Sequence, residues 1–529
     1  MATTTVTQSG LSRRSLLALA AALPFLKPLA AAAAAGDAAT PAAVEFAKPY
    51  PFDFERLKAR AKVLASRPYD PPRVRVPEIL DRLGYLAHRD IAHKPELSVW
   101  SDGGGPFPVR LYHLGRHYQL PVNVHVVEDG QAREILYSPA LFAFGERAAF
   151  ASALPANLGF AGFRVMPSEG EVDWLSFLGA SYFRSAGPLD RYGVYARGVA
   201  VGTGLPEPEP FPRFTGFWLE AAAGRPEALV VHALMEGETV TGAYRMIWER
   251  GRRAVTADIT AELYVRDDTE RLGIAPLNTM YWFGGDGRRP VPDWRRAVHN
   301  SQGLAIWTGK GERIWRPLGN PPAVQTNWFV DSSPKGFGLM QRKRDFADYE
   351  DDRRRFELRP SLWVEPRGDW GEGAVQLVEL PAGDEYTENV VAYWLPKRPA
   401  TAGSEWTFDY RLHWTVEEPF PSGLGKVVAT RIGAGGRSAG KAAPDTYRFV
   451  IDFAGGPLAG LPADAMVEAG LSVSRGTIDG KRVVALPEGQ GWRAHVELTA
   501  EGADPIDLRL VLHRDGRDLT EIWTLQYPP

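Results

Sequence analysis

Trp406, Phe408, Tyr410, Leu412 and Trp414 occupy every second position of one short run. Only an extended strand sends alternate side chains to the same face, so this pattern dictates a half-buried β-strand. Leu508, Leu510 and Leu512 repeat it near the C-terminus, as do Val124 and Val126 near the start. The runs stay short because 54 Gly and 43 Pro punctuate them, which leaves little room for long helices. Helical periodicity is confined to Phe52–Ser66, which is amphipathic, and to Pro77–Leu83. The chain is expected to be all-β, of the sandwich kind.

A Pro/Gly/Ala-rich link at Leu395–Ser404 (LPKRPATAGS) predicts a domain boundary. It would divide a large body at 43–396 from a unit at 404–529. The second unit carries turn signals every ~8–12 residues and has the size of an immunoglobulin-like sandwich. Residues 1–35 are set apart as an export signal. Ser12-Arg13-Arg14-Ser15-Leu16-Leu17 opens an apolar run that Lys27 interrupts, and small residues follow at Ala30–Ala35. Paired arginines ahead of a short apolar segment are the twin-arginine pattern of bacteria, which predicts a periplasmic protein.

The chain has no cysteine, which excludes disulfides, thiolate metal sites and a cysteine nucleophile. Net charge is −3, and the presumed signal holds three cations without an acid, so the remainder is more acidic still. A nucleic-acid surface should be basic, and none is expected. No later run is long and apolar enough for stable membrane insertion. His113 and His117 lack a neighbouring Glu and a helical period, and no dinucleotide loop or serine elbow is present. Neither a metal nor a cofactor is expected.

Charged and aromatic residues crowd into Pro334–Trp394, in loops around obvious strands. Trp315, Trp363 and Trp370 stand beside charges in Gly/Pro-rich surroundings (IWRP, SLWVEPRGDWGEG), where a flat indole could stack on a sugar ring. Gln341–Arg359 carries charges of both signs, including Arg344, Asp345, Asp351 and Arg359, interleaved with Phe346, Tyr349 and Phe356. A bare solvated loop would not need those aromatics, so an ordered loop over a polar cleft is expected. Asp384, Glu385 and Glu388 precede the apolar strand Val390–Trp394. An acidic turn is ordinarily a solvated turn, yet a strand end is also a fit seat for a proton-donating acid in glycosidic bond cleavage.

Eight segments, taken together and in order, resemble the bacterial periplasmic glucan biosynthesis family (the OpgG/OpgD, or MdoG/MdoD, proteins). They are LGFAGFRV (Leu158–Val165), LGASYFR (Leu178–Arg184), YGVYARG (Tyr192–Gly198), IWRP (Ile314–Pro317), GFGLMQ (Gly336–Gln341), RDF (Arg344–Phe346), LRPS (Leu358–Ser361) and NVVAYW (Asn389–Trp394). The twin-arginine start is closer to the D branch. The resemblance implies a galactose-mutarotase-like N-terminal sandwich followed by an immunoglobulin-like domain. It also implies work on glucans with a β-1,2-linked glucose backbone, by inverting hydrolysis or transglycosylation.

The resemblance further implies site residues. Glu388 matches the family's general acid, an Asp in the hydrolytic members. Asn300, in Asn300-Ser301-Gln302-Gly303-Leu304, matches the Asp of the base relay, and Phe356 matches a tyrosine of that relay. Trp315, Arg316, Arg344, Asp345, Asp351, Arg359, Trp363, Trp370, Asp384 and Glu385 are the expected glucan contacts. An amide cannot accept a proton from water at neutral pH, so hydrolysis by the usual relay is in doubt. Three readings follow: a glucan-active enzyme with Glu388 as acid, a non-catalytic glucan-binding or assembly factor, and an enzyme on another polysaccharide. In the first, an acceptor hydroxyl replaces water, or Asp384, Asp351 or Asp345 serves as substitute base. The expected partner is a β-1,2-glucan or related polysaccharide, with a homodimer left open.

Overall fold

The computed structural model describes residues 43–529 apart from 156, 168–169, 171, 286–291, 437–442 and 444. The expected export signal lies outside the described residues. Strand accounts for 47% of the chain and helix for 11%, which bears out the all-β expectation.

Two sheets build the main body. The larger runs through the meander Arg213–Ala221, Ala228–Glu236, Val240–Arg250 and Ala254–Val265, then through Glu405–Thr415, Ser361–Arg367, Gly336–Met340, Gly303–Trp307 and Arg313–Pro317. The second has Gln325–Ser332 at one edge, then Glu372–Glu379, Val390–Pro396, Leu272–Thr279, Tyr195–Arg197 and Tyr182–Ser185. Their facing sides enclose one apolar core in which aromatic rings meet across the layers. Phe183, for example, lies 5.8 Å from Trp248 and 6.3 Å from Trp414 by ring centroid.

The alternating run behaves as its spacing requires: Trp406, Phe408, Tyr410, Leu412 and Trp414 are all buried, with intervening residues more open. The amphipathic segment forms the helix Phe54–Ala65, whose N-cap Asp53 accepts from Arg56 N at 2.7 Å. Leu57 and Ala61, four apart, pack with Phe52 and Trp218 on the outside of the meander.

The expected boundary at Leu395–Ser404 is displaced. Glu405–Thr415, just after that link, pairs along its whole length with Ala254–Val265 on one side, and its residues Asp409–Thr415 pair with Ser361–Arg367 on the other. It closes the main sheet instead of opening a new unit. The change of core comes after Thr415. A four-stranded sheet (Lys426–Ala434, Thr446–Ala454, Trp492–Thr499, Thr477–Ala485) faces Glu468–Val473, Ile506–Arg514 and Ile522–Tyr527 around a second core. The two units are stitched by backbone, because Ile522 and Trp523 pair in parallel with Ile314 and Trp315.

Candidate active site

The acidic turn ends where the Val390–Pro396 strand begins, and Asn389 fixes that junction. Its side chain accepts from Tyr281 N at 2.8 Å and donates to Tyr281 O at 2.9 Å and Leu380 O at 3.0 Å. Glu388 is thereby held inside the protein, 0% exposed, with neither carboxylate oxygen hydrogen-bonded among the described residues. Burial raises its pKa to about 8, against the pull of the Arg359 and Arg184 guanidinium groups. A carboxyl that stays protonated at neutral pH is what a general acid requires.

Residues that pattern reasoning missed surround it. Tyr182 and Arg184 come from one strand and Tyr195 from the next, and Arg184 Nη1 donates to the Tyr195 hydroxyl at 3.1 Å. The Glu388 charge is felt by Tyr182 and Tyr195, both pushed up to about 12 chiefly by burial. Asn278 is the direct cross-strand partner of Tyr195; it is fully buried, and neither of its amide atoms has a partner among the described residues. Buried polar groups are nearly always satisfied, so Asn278 and Glu388 together mark a place where hydroxyls or water belong. Beside them Tyr118, Ser176, Tyr182, Arg184 and Tyr195 line a cavity of about 20 Å³, room for one water.

Arg359 closes the other side. It is buried, burial lowers its pKa to about 10, and its guanidinium lies 4.1 Å from the Phe356 ring centroid. It donates to Asn300 Oδ1, while Asn300 N donates to Met280 O at 2.8 Å. Where the resemblance implies a base, the structure has a neutral amide serving as acceptor for an arginine. Gly193 lets Arg359 in, since a Cβ there would sit 2.8 Å from that of Arg359. Phe356 packs with Met280, Trp282, Phe283 and Tyr349 and offers no proton path.

The Gln341–Arg359 run is an ordered loop, as expected. Arg344 ties it down, donating to Glu357 O at 3.1 Å, to Arg359 O, to Ser361 Oγ at 3.2 Å and to Val416 O at 2.9 Å. Arg344 is thus a strut of the loop. Asp351 caps the chain at Arg353 N and Arg354 N and receives Arg295 Nη1 at 3.2 Å. The same Arg295 nitrogen reaches Glu385 at 2.5 Å, and Arg354 meets Glu385 at 3.2 Å. Together these pairs lock the loop to the turn that carries Glu388. Asp345 is exposed and caps the short turn Phe346–Asp348, whereas exposed Asp384 accepts from Tyr386 N and the Thr387 hydroxyl. Each of the three substitute bases is therefore engaged in local structure.

The three expected tryptophans are all buried. Trp363 is fully buried, roofed by Gly336, where a Cβ would come within 2.4 Å of its ring. Trp315 lies in the same second core with the Arg342 guanidinium 3.6 Å over its ring. Trp370 packs edge-on to Phe408 and Tyr410 and donates to Asp409 O at 3.2 Å. Trp363 and Trp370 offer no free ring face to a sugar, and Trp315 is buried at the border of a cleft. Arg316 is spent on Glu379 at 2.8 Å and Asn327 at 3.1 Å, a buried structural pair.

One cleft reaches this neighbourhood. It encloses about 480 Å³ between the units, and its lining includes Tyr281, His299, Gln302 and Lys343 together with the expected contacts Trp315 and Arg316. His299 adjoins Asn300 in the chain, and Tyr281 is the residue that Asn389 clamps.

The family described as "Periplasmic glucan biosynthesis protein, MdoG" matches residues 52–527. "Glucans biosynthesis protein D 2" of Ralstonia nicotianae is 44% identical over 98% of both chains. "Glucans biosynthesis protein D" of Xanthomonas oryzae pv. oryzae is 44% identical over 91% of both. The protein of that name from Stenotrophomonas maltophilia is 42% identical over 98% of this chain and 97% of its own. Among solved structures, the galactosidase domain of the alpha-galactosidase-sucrose kinase AgaSK matches 41% of this chain and 29% of that one at 10% identity. Its TM-score is 0.23, too low to speak to fold or activity.

Proposed function

The chain belongs to the MdoG family of periplasmic glucan biosynthesis proteins, and from that premise we propose that it remodels a β-1,2-linked glucan by transglycosylation, with Glu388 as general acid. The observation that carries this is the pairing of a buried, protonated carboxyl with a base position held by an amide. Glu388 gives its proton to the glycosidic oxygen as the bond to the anomeric carbon breaks. A hydroxyl of another glucan end attacks that carbon from the opposite face, forms the new bond and releases its proton to solvent, from which the Glu388 carboxylate is re-protonated. The acceptor hydroxyl must shed a proton as water would, and with an amide at Asn300 that proton passes to solvent and not to a side-chain base. A pyranose needs far more room than one water, so the glucan must displace the loop that Arg344 and Arg295 hold in place. Glycan redistribution outside the cytoplasm agrees with export by the twin-arginine route.

Separation of the products by size after incubation with linear β-1,2-glucan tests the reading. Longer, shorter or cyclised chains are expected from the wild type. Glu388→Gln should lose ~10²-fold or more of that rate. Full activity in the variant would remove Glu388 from the mechanism.

A second reading, a glucan-binding assembly factor, draws on the Arg359–Asn300 contact and the enclosure of Glu388. It predicts that glucan binds and is returned unchanged.

A further inference from the structure

A second groove lies between the two units, apart from the acid. One wall is the Gln325–Ser332 strand, which forms an edge of the ten-stranded sheet, so its outer backbone groups join no ladder among the described residues. The other wall is built from Ser472–Ser474, Asp507–Arg509 and Thr524–Gln526 of the second unit. The groove encloses about 530 Å³, the size of a small-ligand cleft. Trp328 faces Gln376 and Gln376 faces Tyr393, five residues beyond Glu388. Strand rise and spacing then put Trp328 on the order of 20 Å from the acid.

Trp328 is 51% exposed, and only Trp294 shares such exposure among the tryptophans of the described residues. The Arg271 guanidinium stands 5.6 Å from its ring centroid, steadying the indole from one side. The groups around it are fixed in advance. Gln526 Nε2 donates to Asp507 Oδ1 at 3.0 Å, Asp507 N donates to Ser474 Oγ at 2.9 Å, and Arg509 reaches Glu312 at 2.7 Å. The Thr524 hydroxyl is buried with no partner among the described residues. A flat aromatic ring that lines the same groove as a carboxylate, a guanidinium and an amide suits a pyranose, whose C–H face is apolar and whose rim is hydroxyl.

We propose that this groove is a second glucan-holding site, which grips a chain segment through Trp328, Asp507, Arg509 and Gln526 away from the reacting bond. The proposal rests on the glucan reading of the acid site. Calorimetry of the full-length Glu388→Gln protein with short linear β-1,2-gluco-oligosaccharides tests it. Two binding events per chain are expected, one of them weakened roughly tenfold or more by adding Trp328→Ala. Arg509→Gln should weaken the same event. A single event lost with Trp328→Ala would still support the groove, while removing the acid site from binding. Binding that neither substitution alters would overturn the groove alone. No binding by any variant would overturn the glucan reading and this proposal with it. If Trp328→Ala abolished self-association at unchanged glucan affinity, the strand would be an interface between copies and the proposal would fall.

Discussion

Glu388 is the residue on which the proposed chemistry turns, and its ionisation has a measurable cost. Its folded pKa of about 8 lies above the 4.5 of an ordinary glutamic acid, and burial is the main cause. Between those values the folded chain holds a proton that the unfolded chain has lost. Stability is therefore fullest below pH 4.5 and declines as pH rises toward 8. Denaturant unfolding at pH 5 and pH 8 should show the wild type losing on the order of 4 kcal/mol relative to Glu388→Gln over that span. Equal slopes for the two proteins would mean that Glu388 is already ionised in the fold. The acid position was legible in the sequence only through the order of the family segments, because an acidic turn alone reads as solvated. Tyr182, Arg184, Tyr195 and Asn278 were not legible as site residues at all. Strand pairing joins them across long stretches of chain, and no local spacing announces it.

At the scale of elements, the Gln341–Arg359 loop is tied to the turn that carries Glu388. The loop contains two non-glycine residues in left-handed conformation, Glu350 at φ 57° and Arg355 at φ 48°, a cost that its tethers must offset. Arg344→Ala would leave two loop carbonyls and Ser361 without their shared donor. A loss of about 2–4 kcal/mol is expected, with faster amide exchange confined to 341–359. Unchanged exchange there would show that the Arg295 network alone holds the loop. The mixture of charges and aromatics did announce an ordered loop, since Tyr349 and Phe356 are both buried. The three tryptophans are buried for a physical reason. Trp315 and Trp363 stand in strands covered on one face by the main core and on the other by the second unit. Neighbouring charges such as Arg316 and Arg342 are themselves buried partners and not markers of a surface.

At the scale of the whole molecule, the two units share one continuous sheet and a common set of side chains. Arg342 covers Trp315 and pairs with both oxygens of Glu521, one of which also accepts from Val427 N at 2.8 Å. Glu521→Ala is expected to cost about 3 kcal/mol and to leave one cooperative thermal transition. Two separated transitions would show units that fold independently. Period-two alternation revealed the all-β class. The boundary was misplaced because a Pro/Gly/Ala-rich link marks only a turn. Which sheet the next strand joins depends on partners such as Ala254–Val265, far away in the chain. The central claim, transfer through Glu388 without an activated water, is tested most directly in ¹⁸O-labelled water. Linear β-1,2-glucan incubated with the protein should yield redistributed chains that carry no ¹⁸O at their new ends by mass spectrometry. One ¹⁸O per cleaved bond would mean hydrolysis and would contradict the account.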